Sequence, residues 1–230
     1  MKLLNYINKL IPKNCALCNK NFNPNQSIII CDNCYKNKYN ILNKCLTCMT
    51  PTTNQEIKCG KCSFKNKNTI IINGCTHKTP IASKIIKIKK ERQFYWLRPL
   101  CNMLLINIKT LQTKELIPPI TALLPVPLHK ATLQTRGFNQ SYLIASIISK
   151  ELNLPVINQH IVKIKATKEQ KDLNKKERLR NLKGCFKLVK EIKYDNIAII
   201  DDVCTTGATI NAIANILTSK KLQAWCLSRS

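Results

Sequence analysis

The chain has 230 residues, 44% of them hydrophobic, with 38 Lys and Arg against 12 Asp and Glu and a formal net charge of +26. That length suits one ordinary domain plus a small appendage, and the apolar content is enough for a packed core. No run of about 18 apolar residues occurs, which excludes a membrane-spanning helix and leaves a cytoplasmic location as the expectation. The lysines are spread from end to end and accompany abundant Asn and Ile. The charge therefore reads either as compositional drift or as an electrostatic footprint for nucleic acid or polyphosphate.

Residues 1–11 are too polar and too short for a signal peptide. Their apolar positions, Leu3, Leu4, Ile7, Leu10 and Ile11, fall on one face of a helix. Four Cys-x-x-Cys pairs follow: Cys15/Cys18, Cys31/Cys34, Cys45/Cys48 and Cys59/Cys62. Each pair sets two thiolates on one side of a tight turn, and two pairs complete a tetrahedral Zn²⁺ site. The expectation is two structural zinc ribbons in sequence, pairs one with two and three with four. An interleaved pairing, or a single retained zinc, is the alternative that spacing leaves open. The segment has almost no apolar run apart from Ile28–Ile30, so metal binding has to supply much of its folding energy. Of the 13 cysteines, Cys75, Cys101, Cys185 and Cys226 lie in apolar surroundings and read as small core residues.

From residue 69 the pattern changes. Residues 69–75 read as a strand entering a new domain, and 80–111 as helices with apolar spacing at Ile81, Ile85 and Ile88, then Leu97, Leu100 and Leu104. Pro118-Pro119 breaks this run, and residues 122–127 read as a buried strand. Residues 141–152 are expected as a helix and 155–157 as a short strand. Residues 163–183 carry many charges and little pattern, which suits a mobile loop with a helical tail. Strands are expected at 186–189 and 197–200, and 224–227 is expected to close the sheet. Alternating strands and helices predict an α/β fold with a mostly parallel sheet.

The most informative stretch is 196–209. A buried apolar strand, Asn196 to Ile200, ends on Asp201 and Asp202. A small hydroxyl-rich loop follows, Val203-Cys204-Thr205-Thr206-Gly207-Ala208-Thr209, and then an apolar helix over about 210–217. Loop amides and a helix N-terminus can hold a phosphate, and adjacent carboxylates can accept hydrogen bonds from vicinal hydroxyls. The order suits a sugar phosphate. It is not a P-loop, because no Gly-Lys-Ser/Thr follows, and its single glycine excludes a dinucleotide fingerprint.

This stretch resembles the phosphoribosyl pyrophosphate (PRPP) signature of type I phosphoribosyltransferases. Further segments agree with one family. These are Leu124-Pro125-Val126-Pro127-Leu128-His129 leading to Arg136-Gly137-Phe138-Asn139-Gln140, and Ala166-Thr167-Lys168-Glu169-Gln170 followed by 178–186. The paired cysteines in front and the tail Trp225-Cys226-Leu227-Ser228-Arg229 complete the set. Together they resemble the ComF family over essentially the whole chain. The resemblance implies an N-terminal helix and double zinc ribbon over 1–66 and a phosphoribosyltransferase-like domain over 67–230. It implies Asp201 and Asp202 on the ribose hydroxyls, residues 205–209 around the 5-phosphate, and Lys89, Arg136 and Arg180 as further PRPP-site residues, with Asn181 beside Arg180. It also ties the chain to DNA uptake or use.

If the chain is a transferase, pyrophosphate leaves the anomeric carbon with Mg²⁺ assistance, and the acids hold the ring near the developing charge. No residue stands out as a base for an acceptor, so the acceptor is not legible. The competing readings are a PRPP-sensing factor that binds single-stranded DNA, and a zinc-stiffened scaffold for competence or helicase proteins. Only 6% of the chain is aromatic, which weighs against a base-stacking platform.

Overall fold

Four apolar runs, each bounded by polar residues, become four parallel strands. The computed structural model describes residues 14–15, 18–21, 30–34, 42–48, 50, 52–53, 57–60, 62, 69–76, 82–166, 182 and 184–229. The helix expected over 1–11 lies outside the described residues, as do 167–181, with Arg180 and Asn181. The described elements are β1 (Ile70–Thr76), α1 (Ala82–Glu91), a 3₁₀ turn (Phe94–Trp96), α2 (Leu97–Thr113), β2 (Ala122–Pro125), α3 (Lys130–Arg136) and α4 (Gln140–Leu152). They continue with β3 (Ile161–Lys163), β4 (Phe186–Leu188), β5 (Asn196–Cys204), α5 (Ala208–Ala214) and β6 (Lys221–Arg229).

The main sheet has the order β1-β6-β5-β2, and every pairing in it is parallel. Both faces are buried, which is why the strands read as continuous apolar runs rather than alternating ones. On one face Ile72, Leu123, Ala198, Ile200, Trp225 and Leu227 meet the residues of α2 and α4. On the other, Ile71, Leu124, Ile197, Ile199, Ala224 and Cys226 meet Ile210 and Ile213 of α5. No described helix is long and apolar enough to cross a membrane.

Several expectations need correction. Residues 224–227 do not close the sheet: β6 lies between β1 and β5. It pairs with β1 on one side and β5 on the other, and Trp225 on one face and Ala224 on the other are both fully covered. Residues 186–188 leave the main sheet altogether and pair antiparallel with β3, since only Phe186 of the three is buried. Residues 155–157 contribute a single parallel bridge, Leu123 to Val156, rather than a strand. The helix after the hydroxyl-rich loop begins at Ala208 and ends at Ala214, two residues earlier than read at its start. Helix α3 has no buried residue and hence no apolar stripe by which it could have been read.

The cysteine-rich front packs against this sheet. Cys15, Ile30, Cys34 and Leu46 belong to the same buried cluster as Ile72 and Trp225. The Ile71 N–H donates to the Leu46 carbonyl at 3.1 Å. The guanidinium of Arg229, at the end of β6, donates to the carbonyls of Leu46 and Thr47.

Candidate functional site

Strand β2 stops at Pro125, in register with Ile200, while β5 runs on to Cys204. The next residues of β5, Asp201 and Asp202, therefore have a strand partner on the β6 side and none on the β2 side. The chain leaves β2 toward α3 and α4 and leaves β5 toward α5, which pack on opposite faces of the sheet. A crevice at such a divergence, at the carboxyl ends of parallel strands, is where ligands of open α/β sheets bind.

The two acids are held differently. The Asp201 carboxylate accepts from the Asp202 backbone N–H at 2.9 Å and from the Ser141 hydroxyl at 3.2 Å. Asp202 accepts from the Val203 N–H at 2.8 Å, and its other oxygen forms an ion pair with the Lys89 ammonium. Burial, reinforced by the neighbouring Asp202 charge, pushes Asp201 up to about 8, against the opposing pull of Lys89. Near neutral pH Asp201 thus holds a proton and can donate as well as accept, while Asp202 is ion-paired.

Four residues of Arg136-Gly137-Phe138-Asn139-Gln140 have a local task. Gly137 sits at φ +79, the left-handed conformation that lets α3 end and α4 begin within three residues. The Asn139 carboxamide oxygen caps α4, accepting from Ser141 N–H at 3.0 Å and Tyr142 N–H at 3.4 Å. Its amide nitrogen donates to the Val126 carbonyl at 3.0 Å, which ties the start of α4 to the end of β2. Arg136 donates to the Gln140 amide oxygen at 3.0 Å. Next to Gln140 stands Ser141, the residue that reaches Asp201.

After β5, Thr205 to Gly207 form the loop, with Gly207 at φ +75. The Thr206 hydroxyl accepts from the Ala208 N–H at 3.3 Å. With only seven residues, α5 adds little dipole, so loop amides and hydroxyls are the groups available to a phosphate. Beyond the loop lies a groove of about 850 Å³. Thr47, Ile71, Thr206, Gly207, Asn211 and Arg229 are among its lining, so the loop and the second cysteine cluster share one surface.

Of the residues singled out from sequence, the fold joins Lys89 directly to Asp202 and brings Arg136 to Gln140. Arg180 falls outside the described residues. Sequence reasoning missed Ser141, an ordinary helix residue with no distinguishing pattern. It also missed Lys163, one lysine among many. Lys163 is bridged to His129 across a short parallel contact. Burial holds its ammonium below the ordinary lysine range, while the charges of Cys185 and Asp201 act the other way.

The paired cysteines gather as two tetrads, Cys15-Cys18-Cys31-Cys34 and Cys45-Cys48-Cys59-Cys62, with the sulfurs of each set within 4.8 Å of one another. This is pairing one with two and three with four; the interleaved alternative is not formed. Sulfurs of Cys18 and Cys31 lie 3.8 Å apart, and those of Cys48 and Cys59 lie 3.6 Å apart. A tetrahedral zinc with Zn–S bonds of about 2.3 Å requires edges of about 3.8 Å. Both tetrads could hold zinc, and four soft thiolates suit it. In each tetrad two cysteines are buried, one is half-buried and one exposed, so each site sits at the rim of the fold.

Competence protein F of Haemophilus influenzae is 32% identical over 157 residues, covering 66% of this chain and 69% of that protein. The chain belongs to the ComF family. Two further ComF relatives agree. DNA utilization protein YhgH of Escherichia coli (strain K12) is 28% identical over 205 residues, 87% of this chain and 90% of that one. Competence protein ComFC of Bacillus subtilis (strain 168) is 34% identical over 100 residues, 43% of this chain and 38% of that one. No protein-family model matches the chain.

Proposed function

We propose that this ComF-family chain binds Mg–PRPP in the crevice between β2 and β5 and transfers phosphoribose to an acceptor in the service of DNA uptake or utilisation. The observation that carries the reading is the Lys89–Asp202 ion pair beside the raised Asp201, near the end of strand β5, which runs on to Cys204 and into the Thr205–Gly207 loop. The process comes from the names of the relatives, two competence proteins and a DNA utilization protein.

In this reading Asp201 and Asp202 hold the two ribose hydroxyls. Amides and hydroxyls of residues 205–209 hold the 5-phosphate. Lys89 and Arg136, with Arg180 by the family resemblance, are assigned to the pyrophosphate, and a bound Mg²⁺ would help neutralise that leaving group. The bond from the anomeric carbon to the pyrophosphate oxygen breaks with its electron pair leaving on pyrophosphate, and the acceptor supplies the new bond. The Asp202 carboxylate stabilises the positive charge that develops on the ring while Asp201 orients it by hydrogen bonding, and their cost of organisation is met in folding rather than during reaction. Each cysteine tetrad takes one structural zinc and stiffens the front of the chain against the sheet.

Calorimetry with Mg–PRPP tests the site, and a screen of bases and amines for pyrophosphate release tests the transfer. Binding is expected with the parent chain and not with Asp201→Ala plus Asp202→Ala. No heat with the parent overturns the site. Binding without pyrophosphate release from any acceptor leaves a PRPP-sensing role and removes the transferase reading.

A further inference from the structure

Gln140 is the first residue of α4 and only 3% exposed. Both of its neighbours are tied to the strands that flank the crevice. The Asn139 amide nitrogen donates to the Val126 carbonyl, just past the end of β2. The Ser141 hydroxyl donates to Asp201 on β5. These two contacts fix Gln140 at the wall of the crevice.

Arg136 decides which way the Gln140 carboxamide faces. Its guanidinium donates at 3.0 Å to Oε1, so that end of the amide is the acceptor and the other end carries the two N–H donors. Nε2 is buried and has no hydrogen-bond partner among the described residues. A buried amide nitrogen left unpaired costs free energy, and nearly all such groups in folded chains find an acceptor. A glutamine that served only the fold would have both ends of its amide paired within the chain. Helix α4 is 13 residues long, and the positive end of its dipole lies at the same wall. Three features at one place therefore call for an acceptor of negative charge: the free amide N–H groups, the guanidinium and the helix end.

We infer that Gln140 binds the pyrophosphate of Mg–PRPP through Nε2 while its Oε1 holds Arg136 toward the same group. The inference rests on the PRPP reading of the crevice and adds a residue to it. Pyrophosphate oxygens accept and do not donate, which suits a guanidinium and an amide N–H set side by side. A ribose hydroxyl is also a donor, and the acids at the end of β5 suit it better. Gln140 thus touches the leaving group and positions the cation that neutralises it.

The test uses the zinc-loaded full chain and calorimetry with three probes: Mg–PRPP, Mg–pyrophosphate and ribose 5-phosphate. Gln140→Met keeps the length of the side chain and removes both polar atoms. It is expected to weaken Mg–PRPP and Mg–pyrophosphate about tenfold or more, the loss of a hydrogen bond to a charged group. Ribose 5-phosphate is expected to bind this variant as it binds the parent. Gln140→Glu keeps an oxygen for Arg136 and replaces the N–H donors by a second oxygen, so it is expected to weaken the same two probes further. The inference is overturned if Gln140→Met binds Mg–PRPP as the parent does, or if all three probes weaken alike, the mark of a structural role. A parent chain that binds none of the three overturns the PRPP reading itself.

Discussion

Lys89 and Asp202 form an ion pair that joins the last turn of α1 to the carboxyl end of β5. Asp202 is only 8% exposed, so its charge rests on that partner and on one backbone N–H. Removing one member of a nearly buried pair leaves the other uncompensated. Lys89→Met is expected to cost about 1–2 kcal/mol, less than for a fully dry pair because the lysine is part-exposed. Adding Asp202→Asn to Lys89→Met is expected to recover most of that loss. Urea unfolding of the four members of the cycle measures the coupling, and additive losses would show that the pair contributes nothing.

Asp201 gives the fold a pH dependence of definite sign. Its native value lies near 8, while the ordinary value is 3.8. Between those limits the native state keeps a proton that the unfolded state has lost, so stability falls as pH rises from about 4 to 8 and levels off above. Asp201→Asn is expected to flatten this fall. Urea midpoints at a series of pH values from 5 to 8.5, parent against variant, read it directly; parallel curves would contradict the raised value.

The tetrads predict two zinc ions per chain, one for each set of four thiols. Cys31→Ser is expected to remove the first and Cys59→Ser the second, leaving one zinc in either case by mass spectrometry under native conditions. Thiolate ligands release protons as metal binds, so zinc uptake should weaken as pH falls. A parent chain with one zinc would mean that only one tetrad is used.

Arg229 fastens the second tetrad to the sheet. Its guanidinium donates to the carbonyls of Leu46 and Thr47, which lie between Cys45 and Cys48. Arg229→Met is expected to cost about 1–2 kcal/mol and to speed proteolysis within residues 42–60, with zinc content unchanged. Limited proteolysis followed by mass mapping checks this, and a cleavage pattern equal to the parent's would show that the contact is not a clamp.

The acids were legible because their signal is local: an apolar run of four residues, two carboxylates and a small loop stand next to one another in the chain. Cysteine grouping was legible for a related reason, since spacing limits which thiols can meet. Lys89 was named from a family resemblance rather than from any local feature, and among 38 basic residues nothing nearby in sequence marks it. Ser141 and Lys163 had no signal of either kind.

By itself, then, the sequence determined the strands β1, β2, β5 and β6, the two sets of four cysteines, and the acids with their loop. These follow from periodicity, spacing and chemistry within a few residues. Only the tertiary structure decided that β6 lies inside the sheet, that 186–188 form a separate hairpin with 161–163, and that Lys89 rather than another lysine meets Asp202. Those outcomes depend on which faces can be buried together, a condition on residues far apart in the chain that no local window contains.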